Sequence, residues 1–161
     1  KTTTSTFLTT LLALANQDPT ALIGGIMPLY RSNAHAGRGR LLIAEADESD
    51  GSLVKFKPEV GIITNIDLDH TDHYLNINEL IETMQKFGKN SKKLLINRDC
   101  EVLETNMKGY ASWSVKSKQA DFATIPINKY CTCAMANRSF YCFKPLFIIK
   151  LQLKNQIKNK N

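Results

Sequence analysis

The sequence predicts an α/β fold in which an open, mostly parallel sheet is flanked by helices. Three short apolar runs, "LLIA" (41–44), "VGIIT" (60–64) and "LLI" (94–96), lack the alternation of a half-exposed strand. Such runs are typical of strands buried on both faces, as in a parallel sheet covered by helices. Amphipathic helical patterns precede the first run and separate the last two, and this alternation favours an open sheet.

The first helix is predicted over residues 2–16. Apolar residues recur there at i, i+1, i+4, i+5 and i+8, which places them on one face of a helix. We therefore expect this face to pack in the core, with these members: Phe7, Leu8, Leu11, Leu12 and Ala15.

The second helix is predicted in "NINELIETMQKFG", with Asn76 as the N-cap and Gly88 as the stop. Glu79 lies three residues after Asn76, which completes a capping-box pattern. Helical spacing predicts one buried face. Its members are Leu80, Ile81, Met84 and Phe87.

Charge divides the chain into two parts. The 161 residues carry a formal charge of +6, but residues 126–161 hold seven basic side chains and no acidic one, so residues 1–125 have a net charge of −1. Because the basicity belongs to the tail, no nucleic-acid partner is expected. Residues 1–125 are predicted to form one domain. Residues 126–161 are expected to be either a disordered, peripheral basic tail or, as we favour, a stretch read out of frame or joined from elsewhere.

Other sequence features exclude several classes of protein. The four cysteines lack paired CxxC spacing, which argues against a zinc site or a disulfide framework. The sequence contains neither an apolar run of about 18 residues nor a signal peptide. We therefore expect a cytoplasmic protein with no membrane partner.

Polar residues follow each predicted strand directly. Glu45 and Asp47 follow "LLIA", Asn65 follows "VGIIT", and "NRD" (97–99) follows "LLI". In open α/β sheets, ligands bind beyond the carboxyl ends of the strands. The three strands are therefore predicted to deliver these groups to one edge of one sheet.

The opening "KTTTSTF" leads straight into the first helix. A lysine followed by hydroxyl residues at a helix N-terminus is the second half of a phosphate-binding loop, in which the ammonium contacts phosphates and the next hydroxyl coordinates Mg²⁺. An ordinary threonine cap is the alternative. By itself the stretch leaves both interpretations open.

The segment "TNIDLDHTDHY" (64–74) is rich in carboxylates and imidazoles. Side chains at such spacing can bind a metal. A dinuclear hydrolase would hold two transition metals with them, a nucleotide enzyme would use one or two for Mg²⁺, and a polar loop with capping aspartates is the third option. The basic loop "RSNAHAGRGR" (31–40) is interpreted as a surface loop.

Taken together, "KTTTSTF", "EADESDGS" and "TNIDLDHTDHY", in this order and with these gaps, resemble the central ATP-binding domain of the Mur ligases. The resemblance covers residues 1–125 and implies a P-loop type domain. It is greatest to the alanine-adding members, because other Mur ligases vary in "EADESDGS". It further implies an ATP-dependent ligase in peptidoglycan synthesis that phosphorylates the lactyl carboxylate of UDP-N-acetylmuramate, after which the amine of L-alanine attacks the acyl phosphate.

The resemblance also implies roles for individual residues. Lys1 would hold the β and γ phosphates of ATP, with Thr3 in support, and Thr2 and Glu45 would bind Mg²⁺. His70 would bind a second Mg²⁺ between the γ-phosphate and the substrate carboxylate. Ser32 and Asn33 are implied as part of the muramoyl pocket, and Asn65 as a substrate-side or metal-shell group. Asp47, Glu48 and Asp50 are expected to shape the loop or face the substrate.

The sequence also departs from the family pattern. Only the lysine end of the glycine-rich GTHGK loop is present, so the domain is expected to be truncated. The N-terminal and C-terminal domains that grip the UDP-sugar, ATP and the amino acid are expected partners. We therefore predict that the chain alone is inactive.

Three other functions stay open: a ligase that recycles a ready-made peptide onto UDP-N-acetylmuramate, a metal-dependent hydrolase built on "DLDHTDH", and a non-catalytic nucleotide-binding remnant. The first shares the motifs above, and the missing C-terminal domain would select its amine. The hydrolase would bind Zn²⁺ or Mn²⁺ tightly and would not need ATP.

Overall fold

The computed structural model describes residues 1–69, 72–128, 131–136 and 139–143, with side chains up to residue 123. The chain divides into two compact units. The first comprises Lys1–Pro58 and Asp67–Ser91, and the second comprises Glu59–Ile66 and Lys92–Asn161. Within the described residues, no helix is long and apolar enough to cross a membrane.

The first unit contains a three-stranded sheet in the order β2-β1-β3. Its elements in chain order are α1 (Thr2–Leu14), β1 (Thr20–Met27), β2 (Ser32–His35), β3 (Leu42–Ala44), a 3-10 helix (Ser52–Lys55) and α2 (Ile77–Asn90). Strand β1 runs antiparallel to β2 and parallel to β3. Helix α1 packs on β1 and β3, and α2 packs on the 3-10 helix.

Helix α1 forms where it is predicted, but its buried face differs from the predicted one. Phe7 is 56% exposed and Ala15 is exposed, whereas Thr9 is 1% exposed. Thr2 lies against Gly25 of β1, where an added Cβ would meet the Thr2 methyl group at 2.9 Å. Residues seven apart share a helical face. Because Thr2 faces β1, Thr9 does too, and Phe7 is turned outward.

Helix α2 confirms the predicted N-cap. The Asn76 side chain accepts hydrogen bonds from the amides of Asn78 and Glu79, and the Glu79 carboxylate accepts one from the Leu75 amide. The predicted face is buried, namely Leu80, Ile81, Met84 and Phe87. The predicted stop at Gly88 is wrong. Gly88 does not adopt the left-handed conformation that ends helices, and α2 continues to Asn90.

The second unit contains a six-stranded sheet in the order β4-β5-β6-β7-β8-β9. Its elements are β4 (Val60–Ile63), β5 (Lys93–Asn97), α3 (Glu101–Asn106), β6 (Ala111–Ser114), β7 (Phe122–Asn128), β8 (Cys131–Ala136) and β9 (Ser139–Phe143). Strands β4 to β7 are parallel, and β8 and β9 are antiparallel. The predicted α/β class with a mostly parallel, helix-flanked sheet is thus confirmed.

The strands predicted from "LLIA", "VGIIT" and "LLI" form as β3, β4 and β5, but the single shared sheet is wrong. Strand β3 pairs with β1, which the sequence did not predict. The glycines Gly24 and Gly25 interrupt the apolar pattern of β1, and glycine within a strand weakens its signal. Burial on both faces is also wrong for β3 and β4: Leu42 in β3 is 60% exposed, and burial alternates along β4, which leaves Val60 and Ile62 53% and 38% exposed.

The predicted boundary near residue 125 falls inside β7. Of residues 126–161, the described part contributes the end of β7 and the antiparallel pair β8 and β9. Residues 129–130, 137–138 and 144–161 lie outside the described residues. The prediction that this part of the chain is peripheral or out of frame stays a prediction.

Candidate functional site

The start of α1 and the ends of β1 and β3 bring three residues together in the first unit. Glu45 directly follows β3, and its amide donates to the carbonyl of Leu22 in β1, which continues the parallel pairing. The Glu45 carboxylate then accepts two hydrogen bonds of 2.8 Å, one at Oε1 from the Thr2 hydroxyl and one at Oε2 from the Gly24 amide. These contacts orient Glu45 towards the first turn of α1.

Lys1 lies beside the same loop, at the N-cap position of α1. Its ammonium donates to Oδ1 of Asp47 at 2.9 Å and to Oε2 of Glu48 at 2.8 Å. Partial burial opposes the charged form of Lys1, but the bonds and charges of Glu48 and Asp47 outweigh it and raise its pKa. The Lys1 hydrogen bond, followed by that from the Ser49 amide, lowers the pKa of Asp47 to about 2.

Two adjacent glycines of β1 make room for these side chains. A Cβ on Gly24 would lie 3.1 to 3.2 Å from the Glu45 carboxylate, and one on Gly25 would lie 2.9 Å from the Thr2 methyl group. Neither glycine has a role that is predicted from the sequence. A glycine pair inside an apolar run was the available signal, because it often marks a close approach to a strand.

Residues 45–51, which we call the acidic loop, are held by their own turns. Asp47 Oδ1 accepts from the Ser49 amide, and Asp50 Oδ1 accepts from the Ser52 amide. Gly51 adopts a left-handed conformation with φ of 67°, which is favourable for glycine, and its amide donates to the Glu48 carbonyl. Asp50 therefore shapes the loop as expected, whereas Asp47 and Glu48 also hold Lys1.

The oxygen atoms of Thr2 and Glu45 suit a magnesium ion. Adjacent ligands of an octahedral Mg²⁺ with bonds of about 2.0–2.1 Å lie about 2.9 Å apart, and Thr2 Oγ1 lies 2.8 Å from Glu45 Oε1. Within the described residues, no group of three or more His, Cys, Asp or Glu side chains could hold a metal ion. This is compatible with Mg²⁺, which commonly keeps water and phosphate oxygens as most of its ligands.

The other predicted site residues are not joined to Lys1, Thr2 or Glu45 by any described hydrogen bond. Thr3 is exposed and lines an open cavity of about 720 Å³. The Ser32 hydroxyl accepts from the amide of Ala34, and Asn33 is exposed in β2. Asn65 belongs to the second unit, where its side chain accepts from the Thr64 hydroxyl. His70 lies outside the described residues.

The polar residues after β5 interact with one another in the second unit. Asp99 accepts hydrogen bonds from the Ser114 hydroxyl and the Val115 amide, and burial leaves Ser114 only 1% exposed. Arg98 pairs with Glu104 at 2.9 Å. These contacts join β5 to β6 and α3, which is a structural role.

The loop predicted as a surface loop is anchored near the start of β1. Asp18 accepts from His35 at 3.0 Å and from the Arg38 amide at 2.8 Å, and these bonds lower its pKa, with that of His35 contributing most. The His35 ring stacks on Tyr30 at 3.7 Å. The prediction of a loop over residues 31–40 is wrong for Ser32–His35, which form β2 and pair antiparallel with β1 between Met27 and Ala21; residues 36–40 follow β2 near the start of β1.

Comparisons with known proteins agree on one family. The Mur ligase middle domain matches residues 1–130. The chain is 62% identical over 128 residues to the UDP-N-acetylmuramate–L-alanine ligase of Prochlorococcus marinus strain MIT 9303, a match covering 79% of this chain and 26% of that protein. It is 61% identical over 128 residues to the ligase of the same name from Synechococcus sp. strain CC9311, with the same coverage.

Solved structures share the fold. The UDP-N-acetylmuramate–alanine ligase of Thermotoga maritima superposes with a TM-score of 0.72 at 24% identity, covering 88% of this chain and 34% of that one. The UDP-N-acetylmuramate:L-alanyl-γ-D-glutamyl-meso-diaminopimelate ligase of Neisseria meningitides gives a TM-score of 0.74 at 16% identity, covering 92% and 53%. From the match over residues 1–130 and the shared fold, we conclude that this chain belongs to the Mur ligase middle domain family.

Proposed function

We propose that this chain supplies the ATP-phosphate and Mg²⁺ centre of a ligase that joins L-alanine to UDP-N-acetylmuramate. The observation that carries the proposal is the convergence of Lys1, Thr2 and Glu45 at the first turn of α1. The proposed substrates, UDP-N-acetylmuramate and L-alanine, are taken from the names of the relatives that are 61% and 62% identical to this chain. Because the chain spans about a quarter of their length, 26%, the activity of a whole ligase is part of this proposal.

The charges at the centre suit phosphoryl transfer. The γ-phosphoryl group of ATP and the lactyl carboxylate that receives it are both anionic, so cations must lie between them. Among the residues that the structure describes, no side chain caps the first turn of α1, which leaves its amide groups able to face phosphate oxygens. To contact the β and γ phosphates, the Lys1 ammonium would break its hydrogen bonds to Asp47 and Glu48 or keep some of them beside the new phosphate contacts.

Thr2 and Glu45 would hold Mg²⁺, which supplies charge neutralisation at the phosphates when bound. Glu45 is oriented for this by the Gly24 amide, which occupies one of its oxygens and leaves the other beside the Thr2 hydroxyl. We also propose from the family resemblance that His70 binds a second Mg²⁺ and that Thr3 supports the phosphates. From the same resemblance we propose that Ser32 and Asn33 belong to the muramoyl pocket and that Asn65 is a substrate-side or metal-shell group.

The acyl phosphate formed on the lactyl carboxylate would be attacked by the amine of L-alanine, releasing phosphate and leaving an amide. We propose that other parts of a whole ligase, in the cytoplasm, grip the UDP-sugar and the amino acid. We therefore expect the 161-residue chain alone to release no phosphate in response to L-alanine. Measurable alanine-dependent phosphate release from this chain would contradict that expectation.

Nucleotide binding tests the proposal directly. The chain should bind a fluorescent ATP analogue with Mg²⁺, and Lys1→Ala and Glu45→Gln should each weaken binding by roughly tenfold or more, since each removes a charged contact. Lys57→Ala is the matched control, because Lys57 is exposed. No binding by the unaltered chain, or equal loss in the control, would contradict the proposal.

Metal analysis separates the ligase from the hydrolase hypothesis. A hydrolase built on "DLDHTDH" would copurify with Zn²⁺ or Mn²⁺ and would not require ATP. The expected result for a ligase is the reverse, with nucleotide binding that depends on added Mg²⁺.

A further inference from the structure

Tyr74 is a buried tyrosine whose hydroxyl group reaches the acidic loop. Tyr74 is 3% exposed, and its phenol donates a hydrogen bond of 2.6 Å to the backbone carbonyl of Glu48. Burial raises the pKa of Tyr74, so the phenol stays protonated and remains a donor. The bond spans 26 residues and joins two parts of the first unit.

The same carbonyl is the centre of the turn that carries the partners of Lys1. It also accepts the Gly51 amide at 3.0 Å, which closes the turn, while the Glu48 side chain accepts the Lys1 ammonium. His73, which precedes Tyr74 in the sequence, also lies against the acidic loop, at Gly51. A Cβ on Gly51 would lie 3.0 Å from Nε2 of His73, and the His73 ring meets the Tyr74 ring edge-on at 4.7 Å.

The ties of the acidic loop differ in kind. The Asp47 and Asp50 side chains each accept a hydrogen bond from the amide two residues ahead. These two turns are local, so they do not fix the position of the loop relative to the rest of the unit. Glu45 is fixed to β1 through Gly24, which sets the beginning of the loop. Tyr74 fixes the middle of the loop at Glu48, one of the two residues whose side chains accept hydrogen bonds from the Lys1 ammonium.

We propose that Tyr74 is a positioning residue that sets the place of the Lys1 ammonium by holding the backbone of Glu48. It acts through Glu48, because its own hydroxyl bonds to the Glu48 carbonyl and not to Lys1. The importance of that placement for ATP rests on the proposed function, in which Lys1 contacts phosphates.

Zero-length carbodiimide cross-linking of the 161-residue chain tests the positioning. The reagent joins an amine to a carboxylate in contact with it, and tandem mass spectrometry of the linked peptides separates the side-chain amine of Lys1 from its α-amine. Tyr74→Phe keeps the ring and removes the donor. We expect at least about a twofold lower yield of the Lys1–Glu48 link, the lower bound for losing one hydrogen bond.

Amide hydrogen exchange gives a second readout. In Tyr74→Phe, exchange in the peptide containing residues 47–52 should be roughly two- to tenfold faster, because one hydrogen bond fewer opposes local opening. Tyr30→Phe is the matched control, since Tyr30 is a tyrosine of the same unit whose ring stacks on His35. It should change neither readout.

Circular dichroism should show that each variant folds. If Tyr74→Phe does not fold, Tyr74→Met replaces it, because methionine also fills the space without a hydrogen-bond donor. A Lys1–Glu48 yield and loop exchange equal to those of the unaltered chain would overturn the proposal. Failure of the unaltered chain to bind the ATP analogue would instead contradict the proposed function, because the cross-link and exchange measurements need no nucleotide.

Discussion

The hydroxyl group of Thr2 donates a 2.8 Å hydrogen bond to the carboxylate of Glu45, although 43 positions separate the two residues in the sequence. The contact joins the first residue of α1 to the residue that follows β3. It places two oxygen atoms at the spacing of neighbouring Mg²⁺ ligands. The candidate site is therefore formed by the packing of α1 on β1 and β3.

Replacing Thr2 by valine should weaken binding of the ATP analogue with Mg²⁺. Valine has the shape of threonine but no hydroxyl, so it removes a possible Mg²⁺ ligand and leaves Glu45 Oε1 without this donor. The expected loss is roughly ten- to hundredfold, the range for a hydrogen bond to a charged group. Thr2→Ser keeps the hydroxyl and is the control. Equal affinities of the two variants in a fluorescence titration would contradict the role of the hydroxyl.

Gly24→Ala should displace Glu45 with only a small effect on the fold. The new Cβ would lie 3.1 to 3.2 Å from the Glu45 carboxylate, so the flexible side chain must shift by a few tenths of an ångström. We expect several-fold weaker binding of the Mg²⁺–nucleotide complex. The measurement is the same titration, with thermal denaturation to check folding.

Gly88→Ala is the matched control for that change. Gly88 lies inside α2, where alanine is favoured over glycine by about 0.5–1 kcal/mol, so the variant should be slightly more stable. Nucleotide affinity should be unchanged. If Gly24→Ala binds the Mg²⁺–nucleotide complex as tightly as the unaltered chain, the position of Glu45 is not important for nucleotide binding.

Acid should weaken the contribution of Asp47 to stability. Its pKa falls from the ordinary 3.8 to about 2 in the folded chain, so its stabilising effect is present above about pH 4 and is lost as the pH falls through 2. The side chain is 60% exposed and solvent screens it, so we expect no more than about 1 kcal/mol. Asp47→Asn should therefore lower the free energy of unfolding in urea at pH 6 but not below pH 2.

Glu82→Gln controls for loss of one negative charge, since Glu82 is exposed on α2. In Glu82→Gln, the difference in the free energy of unfolding between pH 6 and a pH below 2 should stay close to that of the unaltered chain. An Asp47→Asn effect that is equally large at both pH values would contradict the charge interaction with Lys1.

Removing the cap of α2 should destabilise the first unit. Asn76→Ala removes the side-chain oxygen that accepts two amides of the first turn, and such changes cost about 0.5–2 kcal/mol. Asn78→Ala removes a similar, exposed side chain two residues later and should have a smaller effect. Urea denaturation followed by circular dichroism distinguishes them. Equal loss in both variants would show that the cap contributes nothing specific.

Much of the local structure could be predicted because it depends on neighbours in the sequence. The cap and buried face of α2 follow from residues within two turns of each other. The end of α2 was missed because a glycine ends a helix only when its backbone turns left-handed, and Gly88 does not. The outward position of Phe7 was missed because periodicity identifies an apolar face but not which residue a strand will meet.

By itself the sequence determined the α/β class, the helices α1 and α2, the strands β3, β4 and β5, and the motifs that resemble the Mur ligases, because these are properties of composition and short-range spacing. Only the tertiary structure decided that β3 pairs with β1, that Lys1 lies between Asp47 and Glu48, and that the hydroxyl of Tyr74 holds the Glu48 backbone. Strand pairing and these contacts join residues far apart in the chain. Their choice depends on which surfaces pack together, and no local pattern records it.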